Sequence, residues 1–438
     1  MGSLHSGSMV HGRTFWELLE QRVDATPDAL MFVDEDMRTL TFAEYWSEAE
    51  LAAAGLAASG LAAGDVVSWQ LPNWIETFVL VAALSRIGVT QNPLSTGLTA
   101  DEVESIVARC GADLIVVPAT WDGRDLEQEA TAIARSYEGM RVLVAQRALP
   151  QGDPTALPPV PFDPVDGLPS GSWLFHTAGT TTEHKVVQHS DATLSAAARG
   201  MCQRLGLIGY DRHALMRPAS HVDGIAWLLA SIVSGCANIL TERFDEDETA
   251  EVLSREGVTL AGSTATHHHA YLQHQRRQLH PVFADVRGFP HGGGRRVEGL
   301  DEDVRSLFDA PVLPSYGSTE APVLTMASIT DPDDVLAAGE GTALPGVELR
   351  FVREDGTIAT GGAEGEIRVR APQLMLGYLD PLLDAQAFDA DGFFRTGDLG
   401  RIDERGVVTI TGHLGDVVVP SEELTEHDLQ MLRDEYRG

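Results

Sequence analysis

Three short polar segments of this 438-residue chain each carry the residue types that phosphate chemistry needs. The first, Phe175-His176-Thr177-Ala178-Gly179-Thr180-Thr181-Thr182-Glu183-His184-Lys185, follows an apolar strand pattern and packs hydroxyls around a glycine before closing on a lysine. Thr hydroxyls and backbone N–H groups can donate to polyphosphate oxygens there, and the ammonium supplies charge. The G-x-x-x-x-G-K-[ST] spacing is absent, so this is not a Walker loop. Taken alone, a Thr-rich segment reads first as a turn. The second segment, Ser315-Tyr316-Gly317-Ser318-Thr319-Glu320, follows Pro311-Val312-Leu313. It offers an aromatic ring to stack on a base, a glycine for close backbone approach, hydroxyls, and a carboxylate for Mg2+. In the third, Arg395-Thr396-Gly397-Asp398-Leu399, a carboxylate on a turn is suited to ribose hydroxyls. A run of His267-His268-His269 invites a metal reading, but neighbours on a helix point about 100° apart and cannot converge on one ion. Pocket wall or core is the better reading of it.

Alternating elements must position these segments. Thr41-Phe42-Ala43-Glu44 and Thr99-Ala100-Asp101-Glu102 are capping boxes that open helices, the second of which ends at Gly111. Asp65 to Leu71 reads as a strand, Ile75 to Gly88 as a helix, and Val89 to Leu94 and Ala112 to Val117 as strands. This alternation predicts a parallel sheet with helices on its faces. The Pro-dense stretch from Gln151 to Gly171 reads as a linker, and a second α/β stretch runs from Trp173 to Met326. Short strands follow at Val347 to Val352, Gly365 to Val369 and Val407 to Ile410. The longest uncharged run, Gly224 to Leu240, falls short of the roughly 20 residues of a membrane span and reads as a buried helix and strand.

Composition narrows the function class. The chain is 43% hydrophobic and 22% charged, which suits a globular fold with a large core. A net charge of −34 argues against broad contact with nucleic acid or anionic membranes. It also means that any polyanionic ligand must be held by local N–H groups, a few cations and Mg2+. Three scattered cysteines, Cys110, Cys202 and Cys236, make no disulfide framework, and no secretory leader opens the sequence, so a cytoplasmic location is expected. Residues 1–8 read as an extraneous leader and are set aside.

In this order the three segments resemble those of the adenylate-forming superfamily of acyl-CoA synthetases, peptide-synthetase adenylation domains and luciferases. Thr26-Pro27-Asp28, Leu40-Thr41-Phe42, Gly64-Asp65-Val66, Leu71-Pro72-Asn73, Leu344-Pro345-Gly346-Val347 and Gly365-Glu366-Ile367 extend the likeness over nearly the whole chain. The resemblance implies an α/β AMP-binding domain over 9–411. Within it lie α/β subdomains of about 9–170 and 171–330 and a small β-barrel-like subdomain over 331–411. A hinge and the start of a truncated C-terminal domain occupy 412–438. Thr177, Gly179, Thr180, Thr181 and Lys185 would form the phosphate loop. His221 would sit beside the acyl carboxylate, a core histidine being the alternative, and Gly292, Gly293 and Gly294 would line the acyl pocket. Ser315, Tyr316 and Gly317 would face adenine, Thr319 the phosphate, Glu320 the Mg2+, and Asp398 with His413 the ribose. The glycines imply room for a bulky or long acyl group. Arg295 and Arg296 could reach phosphates, though solvated surface is the favoured reading.

Departures from the family pattern point at one half of its chemistry. The family's phosphate loop runs roughly [ST]-S-G-[ST]-T-G-x-P-K-G; here the leading serine is Ala178, the second glycine Thr182, the proline His184 and the final glycine Val186. A β-branched residue disfavours the positive φ that glycine permits. The ribose-contacting arginine is His413, and the sequence stops at Gly438, before the lysine that serves adenylation in the family. The expected ligands are ATP or acyl-AMP, a carboxylic acid, coenzyme A and Mg2+. Preformed acyl-AMP, from a separate adenylating enzyme, enters as substrate if the first step is impaired. A competent two-step ligase, a carrier-protein-loading ligase and a non-catalytic acyl-adenylate binder are the alternatives; no nucleic-acid or membrane partner is expected.

Overall fold

The fold is seen in a computed structural model that describes residues 9–161, 171–177, 185–294 and 296–414. A seven-stranded sheet runs in the order Gly377–Tyr378, Lys185–Ser190, Ser172–Thr177, Thr90–Pro93, Val66–Trp69, Leu114–Val117, Arg141–Val144. Its last five strands pair in parallel and the first two join antiparallel. Helix Phe42–Ala58 starts at Thr41 and helix Ala100–Cys110 at Thr99, both with reciprocal capping boxes, and Gly111 ends the second in the left-handed region at φ 65°. Between them, Ile75–Ile87 is buried almost all round, as the unbroken apolar run from Phe78 to Leu84 at its centre requires. It stops at Gly88 (φ 86°), where an added Cβ would lie 2.2 Å from Pro161.

A second sheet orders Arg212–Ala214, Ala237–Leu240, Leu30–Asp34 and Thr39–Thr41. Bridges from His213 to Leu260 and from Leu260 to Gly288 link it to a third, Phe289–His291, Val312–Tyr316, Thr325–Met326 and Thr342–Ala343. The expected division at 170/171 therefore does not follow the sheets. Gln91 pairs with Trp173 in the first sheet, and Phe32 pairs with Asn238 in the second. Parallel pairing joins segments that are distant in sequence, so each half of the α/β region lends strands to the other.

The uncharged run forms helix Val222–Ser234 and strand Ala237–Leu240, both buried. The helix lies in a core with Trp16, Phe32, Phe78, Trp173 and Phe175. Its C-terminal carbonyls are met by the fully buried Arg22, whose Nε donates to Ile232 O and Nη2 to Val233 O, each at 2.7 Å. Among the described residues no helix is long and apolar enough to cross a membrane. The β-rich part is an antiparallel sheet of Glu348–Val352, Gly365–Arg370, Phe394–Ile402 and Val408–His413, which carries Asp398 opposite His413.

Candidate active site

The residues expected on the phosphate side are set by strand pairing. Ser172–Thr177 and Lys185–Ser190 form an antiparallel hairpin in which Thr177 faces Lys185 and His176 faces Val186. Gly179, Thr180 and Thr181 lie outside the described residues. Lys185 opens its strand opposite Thr177, and Val186 is a buried strand residue. The strand Gly377–Tyr378 pairs with the other edge of this hairpin and brings Tyr378 across it. Lys185 Nζ stands 5.5 Å from the Tyr378 ring centroid, and the Tyr378 hydroxyl donates to Glu320 Oε1 at 2.9 Å. Burial first, then the Glu320 charge, pushes the Tyr378 phenol pKa up, so it stays a donor. His189 anchors the same loop: its Nε2 donates to Thr319 O at 2.8 Å while Nδ1 meets Thr193 Oγ1. Burial holds His189 neutral, with its pKa lowered to about 4.

Among the described residues no group of three His, Cys, Asp or Glu side chains could hold a metal by itself. A lone carboxylate beside a phosphate site nevertheless fits Mg2+, which keeps several waters and binds through one or two carboxylates and substrate phosphates. Glu320 has that form, with its backbone carbonyl fixed by Met375 N–H at 2.8 Å.

On the nucleoside side, the Tyr316 hydroxyl donates to Asp398 Oδ2 at 2.6 Å, and His413 Nδ1 meets Asp398 Oδ1 at 3.0 Å. Asp398 N–H donates to Thr396 Oγ1, which in turn donates to Ile367 O, so the Thr-Gly-Asp turn is fixed from within. Gly397 adopts φ 76°, and a Cβ on it would lie 2.8 Å from the His413 ring. Gly317 is required by the returning loop: a Cβ would lie 2.3 Å from Val323 N. Burial and the Asp398 charge keep the Tyr316 phenol protonated.

The acyl side departs from expectation. His221 is no core histidine; it caps the exposed start of helix Val222–Ser234, with Nδ1 accepting from Asp223 N–H at 3.2 Å. In the neutral ring this leaves Nε2–H as the outward donor. Gly292 and Gly293 do not open a roomy pocket. The Arg217 guanidinium donates to Gly292 O and packs so closely that a Cβ on Gly293 (φ 70°) would lie 2.2 Å from Nη2. On Gly292 it would lie 2.7 Å from Ser315 Oγ. The glycines make room for Arg217, and the remaining cavity holds about 30 Å3. Gly294 alone faces open space. A wider groove of about 360 Å3, lined by Trp121, Ser220, Arg243, Phe244 and His267 among others, shares Met216 with this cavity.

The histidine run diverges as helix geometry demands. His267 bonds Thr264 Oγ1, His268 packs edge-on to Phe289, and His269 faces Gln273 at the surface. Arg296 is tied to Asp301 and Gly339 O and is half-buried, so it is not solvated surface; Arg295 is outside the described residues. Sequence reasoning missed Tyr378, His189 and Arg217. No spacing rule ties Tyr378 to Glu320 or Arg217 to Gly292; only sheet pairing and packing join them.

Comparisons with known proteins bear on the family and the fold. The chain is 27% identical over 408 residues to the 2-succinylbenzoate–CoA ligase of Bacillus licheniformis, covering 92% of this chain and 80% of that protein. It is 29% identical over 445 residues to the salicyl-AMP ligase / salicyl-S-ArCP synthetase of Mycobacterium tuberculosis, covering 96% and 76%. The crystal structure of ATP-bound MatB from Rhodopseudomonas palustris superposes with a TM-score of 0.81 at 26% identity, over 92% of this chain and 80% of that one. Residues 19–379 match the AMP-binding enzyme family, and the chain belongs to that family.

Proposed function

We propose that this protein is an acyl-CoA-ligase-type enzyme that forms a thioester through an acyl-adenylate, with the ATP-dependent adenylation step weakened or lost so that preformed acyl-AMP is its substrate. The observation that carries this reading is an asymmetry. The proposed ribose carboxylate Asp398 is held by Tyr316 and His413, whereas the segment between Thr177 and Lys185 carries threonine and histidine where the family has glycine and proline.

In this reading Tyr316 and Asp398 bind the nucleoside of acyl-AMP, and His221 Nε2–H donates to the acyl oxygen. A thiol loses its proton to solvent and its sulfur attacks the acyl carbon; the C–S bond forms, and the C–O bond to AMP breaks with the electron pair leaving on phosphate. Donors at the carbonyl favour the charge that develops on its oxygen. Lys185 and Glu320 face the phosphate side, where Mg2+ bound at Glu320 would neutralise phosphate charge. The salicyl-AMP ligase relative supports a carrier-protein thiol as the second reading of the acceptor.

Two assays test the proposal. Supplied acyl-AMP and coenzyme A should yield thioester faster than acid, ATP and coenzyme A do. Robust acid-dependent ATP–pyrophosphate exchange would overturn the weakened first step, and absence of thioester from acyl-AMP with either thiol would overturn the transfer.

A further inference from the structure

We infer that the acyl chain of the acid handled here ends in a hydrogen-bonding oxygen (amide, oxo or carboxylate) and not in hydrocarbon, and that Arg217 selects it from beneath Gly292 and Gly293. The inference rests on the proposed acyl-adenylate reading, since it takes the cavity beyond His221 and Gly292 as the acyl end of the site.

Size gives the first argument. The cavity beside Arg217 leaves about 30 Å3, against the roughly 10–15 Å3 that one water needs, so a terminal group of a few atoms fits there and a bulky one does not. Polarity gives the second. Arg217 is 8% exposed, and His213, Ser263 and His291 are buried beside it in the lining. His213 Nδ1 and Ser263 Oγ are buried and meet no hydrogen-bond partner among the described residues. Buried polar groups without partners are uncommon and costly, and a ligand that supplies the missing bonds explains them. The His213 ring is fixed flat on Trp227, with centroids 3.8 Å apart and planes at 11°, so the direction of its nitrogens is set.

Charge gives the third argument. The ion pair of Arg217 Nε with Asp223 is long, at 3.9 Å, and Asp223 also lines the cavity. The carboxylate offsets the guanidinium, so the wall recognises an oxygen acceptor by direction, and a neutral amide fits as a carboxylate does. Val323 adds strain at the same wall: a β-branched residue at φ 48° with its carbonyl held by Gln373. Such strain persists where surrounding structure over-determines it, commonly at ligand sites.

The test is direct calorimetric binding of three non-hydrolysable acyl-sulfamoyl adenosines with end groups of nearly equal size, made from succinamic, succinic and 4-methylpentanoic acids. The amide- or carboxylate-ended compound should bind at least about tenfold more tightly than the isopropyl-ended one. Arg217→Met should shrink that preference to about threefold or less, with AMP binding as the check that the variant folds. If Arg217→Met fails to bind AMP, Ser263→Ala carries the test and should cost the favoured compound at least about threefold. The ratio of amide to carboxylate separates acceptor geometry from charge. Equal or tighter binding of the isopropyl-ended compound overturns the inference and leaves the acyl-adenylate reading standing. If none of the three binds better than AMP, the acyl-adenylate reading fails instead.

Discussion

Replacing Asp398 with asparagine keeps the shape of the side chain and removes its charge. Both carboxylate oxygens already accept one bond, from Tyr316 at 2.6 Å and His413 at 3.0 Å, and each retains a lone pair for a ribose hydroxyl. A hydrogen bond to a charged group contributes about 1.5–3 kcal/mol and a neutral one about 0.5–1.5 kcal/mol, so Asp398→Asn should lose about 1–1.5 kcal/mol per hydroxyl. The side chain is 23% exposed, and solvent screening lowers the sum for two hydroxyls from about 2–3 to about 1.5–2 kcal/mol, or roughly 10–30-fold in affinity. Calorimetry with an acyl-sulfamoyl adenosine measures this loss, and its 2′,3′-dideoxy counterpart closes a double-mutant cycle. Wild-type protein should lose more than this factor on removal of the hydroxyls, and Asp398→Asn should lose about 10–30-fold less than wild type does, because its amide keeps only neutral bonds to them. Fully additive losses would refute the assignment, because the carboxylate and the ribose would then act independently.

Arg22→Met should lower stability by about 3–5 kcal/mol, since two buried helix-end carbonyls lose charged donors; Arg22→Lys should fall between, and a urea midpoint unchanged in Arg22→Met would contradict this. Thr182→Gly with His184→Pro should raise ATP–pyrophosphate exchange if the turn limits adenylation, whereas adding Val186→Gly should reverse the gain by hollowing a buried strand position, at about 2–3 kcal/mol of stability. Acid should destabilise the fold. Burial lowers the pKa of His189 and His291 to about 4 and of His213 and His267 to about 3, so below pH 6.5 the unfolded chain takes up protons that the native state refuses. Each such histidine removes up to about 1.4 kcal/mol per pH unit. Burial also raises Asp191 and Glu340 to about 7, and these two oppose the trend between their ordinary carboxyl values and 7 because the native state keeps their protons. The urea midpoint should therefore be lower at pH 5 than at pH 7; an equal or higher one would show that the histidines are not held neutral.

Much of the local structure was legible in residue types. Thr41 with Glu44 and Thr99 with Glu102 determine helix starts because a cap is a contact across three residues. Gly88 and Gly111 determine helix ends because the left-handed region favours glycine. The Tyr-Gly-Ser-Thr-Glu and Thr-Gly-Asp segments and the alternation of strand and helix likewise sufficed for the family. The interleaving of the sheets was not legible, because hydrophobic alternation says which face of a strand is buried and not which strand lies beside it.

The site follows the same division. Residue chemistry alone marked Asp398, Tyr316 and Glu320 as candidate nucleotide and metal ligands. Only the tertiary structure joined Tyr316 to Asp398 across 82 residues and Tyr378 to Glu320 across 58. It also reversed the meaning of Gly293. A glycine read in sequence is open space; folded, that space is filled by Arg217, 76 positions earlier in the chain, because packing assigns volume between elements that no local rule connects.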